Sequence, residues 1–467
     1  MLSVHPQFRP QLDPDFLPAV LWNRAFATAV ETDPRARDFA LVLRRESETI
    51  VVHRSRIFSA SHQMALLNLF YAERLVKFLL WQVGAPHVQV VGAPDIAAAL
   101  AQLYQPDGVR AFDYDFMGRR TYGRDFRIES VTTLEEVTVP EATAQIGRHL
   151  EGCRVGFDLG GSDRKAVALI DGKVVFSEEV PWSPYFESDP TYHIEGVHES
   201  IARAAAHLPR VDAIGGSAAG VYVNNEPRVA SLFRGVPPDL FDQKIRRMFS
   251  TLKQRWGNVP FEVVNDGEVT ALAGSMSLNE NAVLGVSMGT SMAGGYVTKE
   301  GAITSWLNEL AFAPVDYRAD APRDEWSGDL GCGVQYFSQQ SVARLAERAG
   351  FKFPEGMAAA ERLVKIQVAM EAGDARARQI YETIGVYFGY SLAHYAEFYE
   401  MRHVLVLGRV TTGKGGELIL SIADKILQAE FPKLSKSLHL HMPDEKEKRN
   451  GQAIAAASLP KLAATFK

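Results

Sequence analysis

The stretch RVGFDLGGSDRKAVALIDGKVVFSEE, residues 154–179, determines how the rest of the chain is interpreted. Hydrophobic residues alternate with small or polar ones, and two β-rich runs flank Asp171-Gly172, a dipeptide typical of a tight hairpin. The pattern predicts a three-stranded β-meander with Asp158 at the end of its first strand. Small residues then leave the backbone N–H groups open to an anion: Gly160, Gly161 and Ser162. The stretch therefore predicts a turn that holds a terminal phosphate and its metal ion.

The same plan recurs later in the chain. Residues 282–288 and 292–298 are predicted strands, and a second turn at 299–301 leads to a further strand at Ala302-Ile303. The turn between the first two strands again consists of small residues: Gly289, Thr290 and Ser291. Two such turns facing each other across a cleft would grip one polyphosphate from both sides. Two ordinary hairpins are the alternative.

Composition limits the classes of protein to consider. A chain of 467 residues predicts roughly two to four domains, and a net charge of −6 gives no general attraction to nucleic acid or anionic membranes. Two cysteines, Cys153 and Cys332, supply neither a disulfide framework nor a cysteine zinc cage, which favours a reducing cytoplasm. No leader pattern or membrane-spanning apolar run is present, so secretion and membrane insertion are not expected.

Residues 1–150 are predicted to form a separate α+β unit. Its predicted elements are strands at 39–43, 49–53 and 87–91 and helices at 64–83 and 95–104. The unit contains 16 Lys+Arg and 17 Asp+Glu, so it lacks the basic footprint of a nucleic-acid-binding module. The arginines at 119–127 are a local exception, for which a solvated face is the favoured interpretation. The sequence assigns no role to this unit.

A helix near 196–208 and a strand at 211–214 follow the first meander and indicate an α/β layer beside it. The strand runs into GGSAAG, residues 215–220, which invites the close approach of a ligand, although glycines also serve plain turns. Gly216 and Ser217 are therefore candidate substrate contacts.

Two carboxylates later in the chain are candidate functional groups. Asp266 follows a buried strand at 261–264 and opens a helix, so it is either an N-cap or a general base at the edge where open α/β sheets bind ligands. Glu309 lies in the apolar run WLNELAFAPVD and is either a surface residue or a ligand-facing acceptor. Both pairs of alternatives stay open.

The C-terminal third contains a second phosphate-like motif. Predicted helices at 358–372 and 375–399 precede a strand at 404–407 and the loop GRVTTGKGG, and an Ala-rich helix at 451–466 could pack on the first lobe. The loop matches a P-loop up to Lys414, but Gly415 stands where Ser or Thr would bind magnesium, and a P-loop normally opens its sheet. The loop is otherwise a flexible connection, or a turn against a nucleotide with Gly408 and Lys414 near it.

Together these motifs resemble the ROK family of bacterial sugar kinases and repressors, from about Gly152 to the C-terminus. Asp158 to Ser162 is similar to the family's first phosphate motif, Asn265-Asp266 to its sugar-binding Asn and catalytic Asp, and 289–291 to its second phosphate motif. The resemblance implies an α/β, two-lobed actin-like (ribonuclease H-like) ATPase fold. Its first lobe would comprise residues 151–264 and 451–467, and its second lobe residues 265–450.

The chain also departs from the family pattern. Phe312 stands where a metal-binding, sugar-contacting His is usual, and Val334 stands where a sugar-binding Glu is usual. The zinc-binding cysteine cluster is reduced to Cys332, and one thiol does not make a tetrahedral site, so no structural zinc is predicted. Gly408-Arg409 replaces the usual Gly-Gly, which leaves the nucleotide preference open.

The resemblance implies transfer of a phosphoryl group from ATP to a hydroxyl of a sugar or sugar-like molecule. Asp266 would be the general base, Asn265 and Glu309 would orient the acceptor, and Asp158 would hold Mg²⁺, directly or through water. A ligand sensor that kept the fold and lost the chemistry is the alternative, and a DNA-binding repressor ranks third. ROK proteins commonly dimerise, so the resemblance also admits a homodimer.

Overall fold

A computed structural model of the chain describes residues 2–45, 48–132, 146–442 and 448–462. The strands within these ranges form three main sheets and one small hairpin. Their bounds are β1 Arg37–Arg45, β2 Glu48–Ile57, β3 His87–Val91, β4 Arg127–Val131, β5 Cys153–Leu159, β6 Asp163–Ile170, β7 Lys173–Pro181, β8 Ala213–Ala218, β9 Val221–Val223, β10 Glu226–Val229, β11 Phe261–Asn265, β12 Val283–Met288, β13 Met292–Val297, β14 His403–Leu407 and β15 His439–His441.

The helices cover the faces of these sheets. Their bounds are α1 Ala19–Glu31, α2 Leu67–Val83, α3 Pro94–Leu103, α4 Ala111–Asp115, α5 Pro190–Ala205, α6 Pro238–Leu240, α7 Met248–Arg255, α8 Asp266–Leu278, α9 Gln339–Arg348, α10 Ala359–Glu371, α11 Ala375–Tyr395, α12 Lys414–Glu430, α13 Pro432–Ser435 and α14 Lys448–Ala457. Among the residues described, no helix combines the length and the apolar character needed to cross a membrane.

The N-terminal unit is built on a four-stranded sheet with the order β2-β1-β3-β4. Strand β1 pairs antiparallel with β2 and β3, and β4 joins β3 in parallel. The strands and helices predicted for this unit are all present. Helix α2 is buried around most of its circumference, including charged residues, because it lies between this sheet and the second lobe.

The first lobe contains the predicted meander. Its sheet has the order β11-β8-β5-β6-β7, in which β5, β8 and β11 are parallel and β6 and β7 return antiparallel. The register places Asp158 on β5 opposite Ser217 on β8 and opposite Lys165 on β6. The carboxyl ends of three parallel strands therefore meet at one edge of the sheet, where open α/β sheets bind ligands.

The second lobe repeats only part of this plan. Its sheet has the order β13-β12-β14-β15, and the strand predicted at Ala302-Ile303 is reduced to isolated bridges from Ile303 to Val297 and Ile146. The third strand does not extend because the chain turns towards the N-terminal unit, where Leu307 N–H donates to the carbonyl of Val83 at 3.3 Å.

Helix α14 packs on the first-lobe sheet through positions without side chains. A Cβ at Gly215 would lie 1.7 Å from the carbonyl oxygen of Ala456, and one at Gly156 would lie 2.0 Å from that of Ala453. These contacts explain why β8 continues through glycines beyond its predicted end. The predicted helix is too long, because α14 ends at Ala457, shortly before Pro460; residues 463–467 lie outside the described ranges.

The N-terminal unit docks on the second lobe through six charged side chains that are at least nine-tenths buried, here called the charge cluster: Glu73, Arg74, Lys77, Arg110, Asp113 and Asp329. Lys77 Nζ lies 2.9 Å from Asp113 and 3.3 Å from Asp329, and Arg74 lies 3.1 Å from Asp329. Three positive and three negative charges compensate one another. Five members come from the N-terminal unit and one, Asp329, from the second lobe.

The arginines at 119–127 lie on the outside of the N-terminal unit. Arg119 pairs with Asp125 at 3.0 Å, and Arg120 pairs with Asp115 at 3.4 Å, with all four side chains at least half exposed. These arginines therefore belong to a solvated face of mixed charge, which is the interpretation that the sequence favoured.

Candidate active site

Asp266 lies where β11 passes directly into α8. The helix is capped by Asn265, whose Oδ1 accepts from Gly267 N–H at 2.7 Å and whose Nδ2 donates to the carbonyl of Gly220 at 2.7 Å. Asp266 is the first helical residue, and its Oδ1 accepts from the adjacent Gly267 N–H at 3.0 Å. The capping role considered for Asp266 therefore belongs to Asn265, and the Asp266 carboxylate stays available to a ligand.

The carboxylates of Asp266 and Asp158 influence each other across the ends of the strands. Burial and the charge of Asp158 raise the pKa of Asp266 to about 6. Burial also raises the pKa of Asp158, against the opposing effects of the Ser217 hydroxyl and the Lys165 ammonium beside it. Asp266 is half-buried and keeps some contact with solvent, so its carboxylate can be reached from outside the protein.

Glu309 approaches the same place from the second lobe. Burial and the charge of Asp266 raise the pKa of Glu309 to about 7. Its backbone is held by the C-terminal end of α2, because Glu309 N–H donates to the carbonyl of Trp81 at 2.9 Å and Asn308 N–H donates to that of Gln82 at 2.8 Å. The N-terminal unit thus fixes the loop that carries this carboxylate.

Glu268 supports the same loop and was not singled out from the sequence. Burial raises the pKa of Glu268 to about 8. Its carboxyl group accepts from the Asn308 side-chain amide and from Tyr296 N–H, and Tyr399 OH donates to Asn308 Oδ1 at 2.7 Å. No pattern in the sequence marks Glu268, because an acid in the first turn of a helix is ordinarily a partner of the helix dipole.

The first phosphate turn, residues 160–162, is rigid. Gly160 N–H donates to the carbonyl of Asp163 at 2.9 Å, and Trp182 Nε1 donates to the carbonyl of Gly160 at 2.7 Å. A Cβ at Gly161 would lie 2.2 Å from the hydroxyl of Tyr185, so the glycine leaves room for that side chain. Ser162 is engaged within the turn, since its hydroxyl donates to Asp163 at 2.7 Å.

The second phosphate turn, residues 289–291, lies beside the loop predicted to meet the nucleotide. Gly289 N–H donates to the carbonyl of Ser291 at 2.9 Å, and Thr290 and Ser291 are exposed. Gly408 has φ +99° and packs against Met288, whose carbonyl oxygen would lie 2.4 Å from a Cβ there. The parallel pairing of β12 and β14 brings these two small-residue segments together.

Two of the predicted contacts are occupied by protein. The space beside Gly216 is filled by the ring of Phe157, which would lie 2.2 Å from a Cβ, so Gly216 makes room for packing inside β8, and its contact with substrate stays a prediction. Lys414 pairs with Glu371, its Nζ lying 3.2 Å from the carboxylate and 3.1 Å from the carbonyl oxygen.

The region corresponding to the family's zinc loop is filled by protein side chains. Phe312 packs on Trp81 with ring centroids 4.3 Å apart, and the thiol of buried Cys332 lies 3.9 Å from Asp329 in the charge cluster. Across the described part of the chain, no group of three or more His, Cys, Asp or Glu side chains is arranged to hold a metal ion. Asp158 nevertheless suits Mg²⁺, which commonly takes one or two carboxylates together with substrate phosphates and water.

Comparisons with known proteins place the fold. No family model matches the chain, and no curated protein matches it. Among solved structures, the ROK hexokinase from Thermus thermophilus is 20% identical with a TM-score of 0.51, over 66% of this chain and 97% of that one. A ROK family glucokinase from Streptomyces griseus in complex with glucose and AMPPNP is 19% identical, with a TM-score of 0.47 over 66% and 99% of the two chains.

A ROK family transcriptional regulator, a homolog of the E. coli MLC protein, is 17% identical with a TM-score of 0.49, over 66% of this chain and 79% of that one. At such identities the likeness concerns the fold. The two-lobed actin-like ATPase fold is therefore confirmed, with an α+β N-terminal unit added to it.

Proposed function

We propose that the chain is a ROK-type kinase that transfers a phosphoryl group from ATP to a hydroxyl of a sugar or sugar-like molecule. One observation carries the proposal: Asp266, with a pKa raised to about 6, lies between Asp158 of the first lobe and Glu309 of the second, at the ends of parallel strands. A general base is most effective when its pKa is close to the working pH.

The acceptor side of the cleft supplies the proton transfer. Asp266 would accept the proton of the attacking hydroxyl as its oxygen bonds to the transferred phosphorus, while the nucleoside diphosphate leaves with the bridging oxygen. Glu309, whose pKa is about 7, is near the point where it either donates or accepts a hydrogen bond, which suits the orientation of a substrate hydroxyl. The Asn265 side chain already bonds to Gly267 and Gly220, so a contact with the acceptor would have to share one of its polar atoms.

The phosphate side of the cleft supplies positioning. Asp158 would hold Mg²⁺, which when bound with ATP neutralises the charge of the phosphates. Backbone amides around Gly161 and Thr290 would orient the phosphate chain from the two lobes, and positioning with charge stabilisation dominates such reactions. Lys165, opposite Asp158 on β6, adds a cation that the sequence motifs did not include.

A ligand sensor is the second candidate. It is favoured by the acceptor side, where Phe312 is packed in an aromatic cluster and Val334 is buried, so neither position offers a polar group to a sugar. A sensor would bind nucleotide or sugar without turnover.

Phosphoryl transfer from labelled ATP to a broad sugar library tests the proposal, with Asp266→Asn as the inactive variant. Asp38→Asn is the matched control, because the Asp38 side chain is almost fully exposed on the N-terminal unit. We expect transfer by the wild type and the control, and loss in Asp266→Asn. Binding of Mg-ATP in a thermal-shift assay without transfer to any sugar would instead establish the sensor, and full transfer by Asp266→Asn would remove Asp266 from the mechanism.

A further inference from the structure

A cavity of about 450 Å³ lies beside the candidate active site, where the N-terminal unit meets both lobes. We call it the flanking cavity. Its walls come from Arg45 and Tyr122 of the N-terminal unit, from the β9–β10 hairpin and the edge strand β11, and from residues 304–307. Its volume falls in the range of about 300–1,000 Å³ that is usual for small-molecule sites.

The flanking cavity adjoins the reacting groups without containing them. It shares Asn265, Gly220 and Glu268 with the site, whereas Asp158, Asp266 and Glu309 are not among its walls. Tyr222 lines it and is close enough to Asp266 for that charge to contribute to the raised pKa of the tyrosine, after burial. The space therefore lies next to the position that a reacting sugar ring would occupy, and is additional to it.

The cationic side chains of the wall already interact with other groups of the protein. Arg45 donates to the carbonyl oxygens of Gly84 and Val83 and to the Ser305 hydroxyl, Arg228 pairs with Glu226 at 2.8 Å, and Arg124 also has an interaction partner. Part of the hydrogen-bonding capacity of these side chains is therefore already used within the protein.

A hydrogen-bond donor and an aromatic ring in the wall suit the hydroxyl groups and the apolar face of a sugar. Arg228 lines the cavity, and its side chain stays partly exposed beside its pairing with Glu226, so its guanidinium can donate to a ligand oxygen. Trp306 stacks on Tyr296 with centroids 5.9 Å apart and presents its remaining half-buried surface to the cavity. Hydrogen-bond donors beside aromatic rings match a neutral, polyhydroxylated ligand.

The wall is fixed by the docking of the N-terminal unit. The bonds of Arg45 to Gly84 and Ser305 join β1 to the end of α2 and to the 304–307 segment. On the other side, Asn225 bonds through its side chain to Phe261 and Val263 on the edge of β11. The shape of the cavity is therefore held by polar contacts on both sides.

We propose that the flanking cavity is a subsite for a second sugar ring, so that the acceptor is a disaccharide or other glycoside. This inference rests on the proposed function for the reacting ring, and it gives the N-terminal unit a role in selecting the size of the acceptor. The reacting ring would lie at Asp266 and the second ring between Trp306 and Arg228.

Calorimetric titration tests the subsite separately from catalysis. Monosaccharides and disaccharides built from them are titrated into the full chain in the presence of a non-hydrolysable ATP analogue and Mg²⁺. We expect a disaccharide to bind at least about tenfold more tightly than its monosaccharide. Trp306→Ala, which removes the ring, and Val223→Trp, which fills the cavity from β9, should each abolish most of that difference. Trp326→Ala is the matched control, because Trp326 is 70% exposed and lies outside the cavity.

The outcomes separate the subsite from the kinase activity. Disaccharide binding without phosphoryl transfer supports the subsite and contradicts the proposed function. Phosphorylation of monosaccharides with no preference for any disaccharide overturns the subsite and leaves the kinase standing. Equal weakening of both sugars by Val223→Trp also overturns the subsite, and absence of binding by any sugar overturns both proposals.

Discussion

The two phosphate turns are held by contacts among neighbouring segments of their own lobes, whereas the acceptor side of the cleft is held from the other end of the chain. Gly160 bonds to Asp163, and Gly289 bonds to Ser291. Glu309, by contrast, takes its backbone position from the carbonyl of Trp81, at the end of a helix in the N-terminal unit.

Under the proposed function, this difference separates the contacts that would hold the nucleotide from those that would hold the acceptor. A change in the N-terminal unit should reach the acceptor through residues 307–309 while the phosphate turns keep their geometry. Nucleotide binding and acceptor binding should therefore respond independently to substitution, and four experiments probe that independence.

The largest effect is expected on the acceptor side, from Asp266→Asn. Loss of a general base typically lowers turnover by about 10²- to 10⁴-fold, and the affinity for Mg-ATP should stay within a few-fold of wild type because the phosphate turns are untouched. Steady-state kinetics and nucleotide titration measure the two quantities. A large loss of nucleotide affinity would contradict the proposed independence of the two sides.

Lys77→Met tests the docking of the N-terminal unit. Removal of this ammonium takes the paired cation from buried Asp113, which keeps a hydrogen bond from Trp81, and one of the cations from Asp329, which keeps Arg74; breaking such a buried pair costs about 3–5 kcal/mol of the free energy of unfolding. Chemical denaturation measures this loss, and the KM for the acceptor should rise more than the KM for ATP.

The matched control is Arg119→Met, which removes a charge from an exposed pair of the same unit and should leave stability unchanged. Equal destabilisation by the two variants, or an equal rise in both KM values for Lys77→Met, would show that the charge cluster does not specifically support the acceptor side.

The pH dependence of turnover tests the ionisation of Asp266. Turnover should fall about tenfold per pH unit below a pKa of about 6, because the protonated carboxyl no longer accepts a proton. Since the pKa of Asp266 is raised on folding, its ionisation between about pH 4 and 6 weakens the folded state, so acidification through this range does not unfold the protein through this group. The residual turnover of Asp266→Asn should not show this fall at low pH. If the fall persists in the variant, it belongs to the ionisation of another group.

The smallest effect is expected on the phosphate side, from Gly161→Ala. The new methyl group must displace the Tyr185 hydroxyl, at a cost of about 1 kcal/mol, which corresponds to roughly a fivefold rise in the KM for ATP. Gly289→Ala is the steric comparison, because a Cβ there would be 3.8 Å from its nearest neighbour, and its melting temperature should equal that of wild type. A change in the acceptor KM alone for Gly161→Ala would reverse the assignment of the two sides.

The first meander could be predicted from the sequence because its signals are local. One short stretch contains the alternation of hydrophobic and polar residues up to Asp158, the glycines that follow it and the hairpin at Asp171-Gly172. The structure forms the predicted meander there. The fold class followed from the order of such motifs, and the comparison of structures confirms it.

Contacts between distant segments account for what could not be predicted. Gly216 lies in a run of small residues that resembles a ligand-binding loop, yet it makes room for Phe157 on a neighbouring strand. Lys414 follows a P-loop-like pattern, yet its ammonium pairs with Glu371 at the end of another helix. Glu268 becomes important only because Asn308 reaches it, and no local pattern records such a pairing.

The charge cluster also determines when, during translation, the N-terminal unit can complete its packing. Its five N-terminal members, three cationic and two anionic, leave the ribosome well before Asp329. At about 5–20 residues per second, roughly 13 to 50 seconds pass between Lys77 and its second partner. During this interval the nascent N-terminal unit carries one uncompensated positive charge on the face that it will later bury, so the part of the protein that is made first completes its packing only after much of the second lobe has been translated.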